Sequence, residues 1–131
     1  MPSVTDISKQ ENIISTDLID VSGDASAPTV IYQCVPQGQK FVLNKIIIYN
    51  KDTADHEITL GEFNVSGTAW VKDKFVFKVA SGEMRVFGPD DLPEDYVVTE
   101  DASSAIKAWA AYLDAAVSAN PVKVKAEFVL R

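Results

Sequence analysis

A histidine held beside a nucleophile is a common arrangement for general-base catalysis, and this chain offers one candidate. His56 is the single histidine of the sequence, and it lies between Asp55 and Glu57 at the start of a strand-like segment. Such a position is typical of an exposed side chain. One cysteine and one histidine also cannot complete a standard zinc site. The sequence therefore predicts no catalytic residue, no metal site and no cofactor, and hence a protein that is not an enzyme.

The single cysteine, Cys34, could act as a nucleophile only if its thiol were accessible and its pKa lowered. It lies instead within an apolar run, residues 30–35, which contains no basic side chain. Free cysteines in such runs are usually buried and inert. We therefore expect Cys34 to be a core residue, and a single cysteine excludes an intrachain disulfide.

Carboxylates are concentrated between residues 90 and 101, where calcium could find several oxygen ligands. Asp90, Asp91, Glu94 and Asp95 stand close together at its start. Their spacing does not match an EF-hand loop, and two prolines in the segment restrict how the carboxylates could converge. We expect a solvated acidic loop, which could also meet a basic surface on a partner. Calcium binding is the alternative.

Lysines alternate with apolar residues in one strand-like segment. Lys72, Lys74 and Lys78 would form a basic stripe, with Trp70 on the same sheet face. Lysine and aromatic side chains together can bind nucleic acid, but lysines on an acidic protein more often solubilise a sheet face or protect a sheet edge. Trp70 and Trp109 could also stack on sugar rings, although tryptophan more commonly packs in a core or an interface. We take Trp70 as an interface candidate.

Length and charge narrow the functional classes further. The chain has 131 residues, of which 47% are hydrophobic and 24% charged, a composition typical of one soluble globular domain. The formal net charge is −7, and an acidic surface repels phosphate backbones and anionic lipids. The first residues lack the features of a signal peptide, and no apolar run is long enough to span a membrane. Neither nucleic acid nor a membrane is an expected partner.

Two regions differ in composition along the chain. Residues 1–27 are polar and rich in turn formers, so we expect an N-terminal arm, or a weak first strand, that is ordered by the surface it packs against. Residues 28–131 contain the strand-like segments and form the predicted sandwich domain. The interface candidates within the arm are its apolar pairs, Ile13, Ile14, Leu18 and Ile19.

Short segments of β-type composition, separated by turn residues, recur after residue 28. They cover residues 29–35, 40–49, 56–63, 69–79, 83–87, 96–99 and 122–130. Such spacing is typical of an all-β protein, and we expect a single antiparallel β-sandwich or jelly-roll-like barrel.

The segment 103–119 fits two interpretations. The spacing of Ile106, Trp109 and Leu113 matches the apolar stripe of a helix, and alanine is abundant around it. The stretch 106–110 can equally be a strand followed by a loop. The fold could therefore include one short helix near residues 103–118.

The segment 40–49 is apolar on both sides of the predicted strand. Strict alternation would place Phe41, Leu43, Ile47 and Tyr49 on one face and the remaining apolar residues on the other. Both faces would then need cover, one from the core and the other from the arm or from a neighbouring subunit. We take the four named residues as interface candidates.

Residues 30–50 resemble the opening of small β-sandwich virion proteins of tailed bacteriophages. In those proteins an extended turn of the type Tyr-x-x-Pro-x-Gly-Lys leads into a hydrophobic strand that ends in asparagine, followed by a polar loop. The turn at residues 79–83 and the segment 106–108 resemble later elements of the same proteins. Glu100 and Asp101 stand where those proteins usually have Gly-Asp.

The resemblance implies a function performed by surfaces. Such proteins are capsid decoration (cement) proteins or tail and fibre components, often trimers, and their pattern contains no catalytic residue. It implies a homo-oligomeric virion protein, assembled in the host cytoplasm, that binds the major capsid protein or another virion protein and stabilises the outer capsid lattice. The alternatives are a tail or fibre module that binds host glycans, a metal-dependent enzyme that uses the acidic loop, and a bacterial sandwich domain outside any virus.

Overall fold

The computed structural model describes residues 12–101 and 103–131, which form two antiparallel sheets packed face to face. The strands are β1 (Ile13–Ser15), β2 (Ile19–Val21), β3 (Thr29–Gln33), β4 (Phe41–Asn50), β5 (His56–Asn64), β6 (Ala69–Val79), β7 (Met84–Phe87), β8 (Tyr96–Val97), β9 (Lys107–Leu113) and β10 (Val122–Leu130). The described residues contain no helix. The prediction of an all-β sandwich is confirmed.

The order of the strands within each sheet defines the topology. In the first sheet, β10 and β4 are central, β1 and β2 pair with β10, and β7 and β8 pair with β4. In the second sheet, the order is β3, β9, β5, β6. The short strands β1 and β2 lie along the same side of β10, and β7 and β8 lie along the same side of β4. If each of these pairs is counted as one strand, each sheet has four strands. Between the strands counted in this way, every successive connection except that of β5 to β6 crosses from one sheet to the other, as in a jelly roll.

The core lies between the two sheets, and the last strand contributes every second residue to it. Val122, Val124, Ala126 and Phe128 of β10 point inward and are buried. The indole of Trp109 stacks on Phe128, with 5.8 Å between ring centroids. These contacts remove large apolar areas from water, which is the main source of stability in such a fold.

Trp109 belongs to this core. It has no exposed surface, and its Nε1–H donates to the backbone oxygen of Phe41 at 2.7 Å. Trp109 therefore cannot serve as the sugar-stacking platform that the sequence allowed.

The segment 103–119 resolves as a strand followed by a loop. Lys107–Leu113 forms β9, and residues 114–121 connect it to β10. Trp109, Ala111 and Leu113 face the core while the residues between them face outward, which is a two-residue period. The helical alternative is wrong because the tertiary pairing of β9 with β3 and β5 overrides the spacing that also fits a helix.

The predicted faces of β4 are wrong because the strand contains a bulge at Asn44. Lys45 pairs with Glu127, but Leu43 pairs with the next residue, Phe128, so Asn44 is an extra residue. The bulge shifts the alternation by one position. Phe41 and Leu43 therefore share the core face with Ile46 and Ile48, while Ile47 and Tyr49 point outward. The core-facing residues of the strand are Phe41, Leu43, Ile46 and Ile48.

The basic stripe predicted on β6 is also disrupted. Two register shifts against β5 leave Val71 and Lys74 as extra residues. Lys74 is consequently almost buried and donates to Asp95 Oδ1 at 2.9 Å, whereas Lys72 and Lys78 stay exposed. The three lysines thus do not form one continuous stripe.

The prediction that Cys34 is a core residue is confirmed. The Cys34 thiol is fully buried, and burial raises its pKa to about 12, as expected for an inert thiol. Gly38 adopts φ of 83° in the turn after residue 36, a conformation that favours glycine.

Part of the segment 1–27 lies in the first sheet. Ile13–Ser15 pairs with Glu127–Val129 of β10, and Ile19–Val21 pairs with Val122–Val124. Residues 1–11 lie outside the described part of the chain.

Candidate functional site

The outer face of the first sheet is the surface where exposed apolar side chains are most concentrated. Cross-strand pairs place Ile47 beside Val86 and Tyr49 beside Met84, so these four side chains are neighbours on β4 and β7. Met84 is 61% exposed, Val86 51% and Tyr49 38%. We call these four residues the apolar patch.

A second apolar row crosses the same face at the other end of the sheet. Ile13 pairs with Val129, Val129 with Val42, and Val42 with Tyr96. Ile13 and Tyr96 at the two ends of this row are exposed, while Val42 in the middle is buried. Apolar residues thus reach solvent at both ends of the face, which is the distribution expected of a protein-binding surface.

A recess of about 220 Å³ lies between the two rows. Its lining includes Ser15, Lys45, Ile47 and Lys125. The ammonium groups of Lys45 and Lys125 lie within 4 Å of no carboxylate among the residues that the structure describes. Glu127 also lines the recess, and its carboxylate accepts a hydrogen bond from Asn44 Nδ2 at 2.9 Å.

The predicted interface candidates fall into four groups. Phe41 and Leu43 lie in the core, with exposures of 0% and 3%, so they present no surface to a partner in this fold. Ile14 and Ile19 are partly buried against the same core. The candidates that keep outward-facing or exposed side chains are Ile13, Leu18, Ile47 and Tyr49. The remaining candidate is Trp70.

Trp70 covers the outer face of the second sheet. An ideal Cβ built on Gly61 would lie 2.7 Å from its Cζ2 atom, so the indole rests directly over that glycine. The Trp70 Nε1–H donates to Asp73 Oδ1 at 2.8 Å, and the ring packs edge-on against Tyr112. Trp70 is therefore engaged by its own sheet, which leaves it poorly placed to stack on a sugar.

His56, predicted to be exposed, is buried between two carboxylates. Its Nε2 lies 2.6 Å from Asp52 Oδ2 and its Nδ1 lies 2.9 Å from Asp114 Oδ1. Only 4% of the residue is exposed. The prediction failed because Asp114 comes from a loop 58 residues away, which the local sequence gives no means of anticipating.

Asp52 also holds the loop between β9 and β10. Its two carboxylate oxygens accept backbone N–H groups from Ser118, Ala119 and Asn120 at 2.8 to 3.2 Å. The side chain is completely buried. We call Asp52, His56, Asp114 and these three N–H groups the histidine clasp, because they join the β4–β5 connection to the β9–β10 connection.

The surroundings of the clasp favour a protonated His56 and ionised carboxylates at Asp52 and Asp114. Burial alone would lower the pKa of His56, but hydrogen bonds to Asp52 and Asp114 and their negative charges together raise it. The hydrogen bond from His56, together with that of the Ser118 N–H, lowers the pKa of Asp52. Burial opposes ionisation of Asp114, yet the hydrogen bond to His56 and the N–H groups around it lower its pKa.

A cleft of about 420 Å³ opens beside the clasp, lined by Asp55, Glu57, Lys78 and Glu83 among others. Both imidazole nitrogens already face carboxylates, so His56 cannot accept a proton from a substrate without breaking the clasp. The contacts of the clasp hold the β4–β5 and β9–β10 connections together. Among the described residues, no group of three or more His, Cys, Asp or Glu side chains is arranged to hold a metal ion.

The acidic loop uses its carboxylates locally. Asp91 accepts the N–H of Gly88, Glu94 pairs with Arg131, and Asp95 pairs with Lys74. Asp101 accepts hydrogen bonds from the residues that follow it. These contacts shape the loop, and the carboxylates do not converge on one point.

In the part of the chain that the structure describes, no helix has the length and apolarity needed to cross a membrane. Comparisons of the chain with protein-family models, with curated proteins and with solved structures found no match.

Proposed function

We propose that this chain is a non-enzymatic virion structural protein of the capsid decoration type, which binds the outer capsid lattice through the outer face of its first sheet. Many copies bridging adjacent capsomers would stabilise the assembled lattice, because a ligand that binds only the assembled state shifts the equilibrium toward it. The likeness of residues 30–50 to phage virion proteins supports the proposal. Jelly-roll architecture is also common among virion proteins.

The observation that carries the proposal is the apolar patch of Ile47, Tyr49, Met84 and Val86. Exposed apolar residues that are neighbours on one sheet face are characteristic of protein-binding surfaces. The face is also rigid, because it is built on the central strand β4 and its neighbour β7 rather than on a long loop. A preformed surface loses little entropy on binding.

The resemblance also favours trimers. Sedimentation equilibrium of the purified chain tests this part, because a trimer has three times the mass of the 14.3 kDa chain. A monomer at all concentrations would remove the trimer from the proposal and leave the capsid contact to be tested separately.

The capsid contact is tested by adding the protein to expanded empty heads of the phage that encodes it and measuring occupancy by co-sedimentation. Val86→Asp places a charge in the apolar patch and should reduce occupancy about tenfold or more. Val76→Asp is the matched control, because Val76 is a valine of similar exposure, 54% against 51%, on the edge strand of the other sheet.

Occupancy that is lost in Val86→Asp and kept in Val76→Asp supports the proposal. Wild-type protein that does not bind the heads refutes it. Equal loss in both variants would mean that the first sheet is not the contact surface.

A further inference from the structure

The positive charge on the outer face of the first sheet is unexpected in a chain of net charge −7. Lys45, Lys123 and Lys125 point outward from the two central strands. The carboxylates that share this face are Asp20 and Glu127. One of them, Asp20, is paired with Lys123.

Two further lysines lie at the margins of the same face. Lys51 Nζ is 5.9 Å from the centre of the Tyr49 ring, and Lys40 Nζ is 4.9 Å from the centre of the Tyr96 ring. Each lysine keeps its ammonium group over an exposed aromatic ring, where the charge is still accessible to a partner. On the described strands of this face, three outward-pointing lysines therefore stand against two carboxylates, although the chain as a whole is acidic.

Two of these lysines and one acidic residue, Glu127, line the recess. Lys45 and Lys125 line it together with Ile47, which belongs to the apolar patch. Ile47 pairs with Lys125 across the strands, so the charge and the apolar side chain are direct neighbours. Glu127, opposite Lys45, is already hydrogen-bonded to Asn44.

We infer that this face binds an acidic protein surface, and that a carboxylate of the partner enters the recess between Lys45 and Lys125 while apolar side chains of the partner cover Ile47, Tyr49, Met84 and Val86. The inference rests on the proposed function in taking the partner to be a protein. Complementary charge would set the register of docking and accelerate association, while the apolar patch supplies contact area.

Nucleic acid fits the same face less well. Phosphate backbones would meet the lysines, but the two exposed aromatic rings, Tyr49 and Tyr96, lie at opposite ends of the face and form no continuous row on which bases could stack. The net negative charge of the chain would also repel the polyanion. A protein surface that combines carboxylates with apolar side chains matches both features of the face.

Charge-reversed variants test the inference on the empty heads. Lys45→Glu combined with Lys125→Glu should weaken binding about tenfold or more, because carboxylates would then face carboxylates. Lys72→Glu combined with Lys78→Glu is the control, since it changes the net charge equally on the exposed part of β6 in the other sheet. The control should change affinity less than threefold. Wild-type affinity should also fall as salt is raised.

A second experiment does not depend on the heads. Heteronuclear NMR spectra of the protein are recorded during titration with a capped peptide of sequence Glu-Leu-Asp-Phe-Glu, and with the same peptide carrying lysine at the three acidic positions. The acidic peptide should shift the amide signals of Lys45, Ile47 and Lys125 most. The lysine peptide should not.

The outcomes separate the two proposals. The wild-type protein could fail to bind the heads while the acidic peptide shifts only amide signals of residues that line the recess. That result overturns the capsid assignment and supports the acidic-partner inference. Binding to heads that is equally sensitive to both pairs of charge reversals, or peptide shifts spread over both sheets, overturns the inference. Binding of single-stranded DNA that is stronger than binding of heads, and that is lost in Lys45→Glu with Lys125→Glu, would also overturn it.

Discussion

The second sheet covers the centre of its outer face with its own side chains, although Val76 on its edge strand stays exposed, whereas the first sheet leaves its outer face open. On the second sheet, Phe63, Ala108 and Ala110 point away from the core and are nevertheless buried, and Trp70 lies over Gly61. On the first sheet, solvent reaches three residues of the apolar patch, Tyr49, Met84 and Val86. It also reaches the two ends of the second apolar row, Ile13 and Tyr96.

The difference indicates that the outer face of the first sheet is the surface with exposed apolar area that a partner could cover. Small residues and glycine on the second sheet allow an aromatic side chain of the same sheet to fold down over them. The first sheet has no such lid among the described residues, and its apolar side chains alternate with lysines that keep the face soluble. The histidine clasp adds a polar closure at one end of the second sheet, since His56 opens β5 and Asp114 follows β9.

The largest loss of stability is expected when the clasp is broken at Asp52. Asp52→Asn removes a buried negative charge and turns an amide N–H toward N–H groups that need an acceptor. Asp55→Asn is the control, because within the described residues the exposed Asp55 carboxylate accepts only the Ser81 N–H. Urea unfolding should show a much lower free energy of unfolding for Asp52→Asn. Equal values for the two variants would show that the clasp contributes no stability.

Gly61→Ala should produce the next largest effect by opening the closed face. The new Cβ would lie 2.2 Å from the backbone oxygen of Lys72 as well as against Trp70, so the strand or the indole must move. We expect a loss of about 2 to 3 kcal/mol in the free energy of unfolding. Gly88→Ala has nothing within 4 Å of the added atom and should change it by less than about 0.5 kcal/mol. A Gly61→Ala protein as stable as Gly88→Ala would contradict the tight packing of Trp70 on the second sheet.

The pH dependence of stability should show the clasp directly. Because the folded-state pKa of His56 is raised, its contribution is complete below about pH 6.5 and is lost as pH rises through the folded-state value. Because the pKa values of Asp52 and Asp114 are lowered, their contributions are complete above about pH 4 and are lost as pH falls. Thermal unfolding should therefore give the highest Tm between these limits.

The variant His56→Gln checks that assignment. It should be less stable than wild type and should lack the decline on the alkaline side. If the fall in Tm at alkaline pH persists unchanged in His56→Gln, a group other than His56 causes that fall.

The smallest effect is expected on the open face. Val86→Thr keeps a β-branched side chain at a solvent-exposed position, so the free energy of unfolding should change by less than about 0.5 kcal/mol. Val97→Thr in β8 of the same sheet is the comparison, because Val97 is fully buried and a hydroxyl there loses its water. It should cost about 1 to 3 kcal/mol. A large loss in Val86→Thr would mean that the first sheet is covered after all.

Alternation along the chain predicted most of the strands but not the faces of all of them. The simple alternation of β10, with Val124 inward and Lys125 outward, occurs as expected because β10 carries one regular pattern between two neighbours. The faces of β4 were misassigned because nothing in its composition marks Asn44 as the bulged residue. The same limit applied to β6, where Lys74 lies in a bulge.

The candidate site was predicted in part. The apolar character of β4 pointed to a second covered face, and Ile47 and Tyr49 do face outward. Met84 and Val86 were missed because an exposed four-residue edge strand carries little pattern of its own. The histidine clasp depends on Asp114, which no local signal connects to His56.

The bulge at Asn44 separates the evolution of the surface from that of the core. Without Asn44, the order of the remaining β4 residues would still alternate cleanly, with Phe41, Leu43, Ile46 and Ile48 on the inward side. The extra residue is therefore an insertion that the hydrophobic packing tolerates, and it bends the strand next to the recess that Lys45 lines. Related lineages could gain, lose or shift such an insertion and so acquire a differently shaped docking surface, while every inward side chain stays in its place.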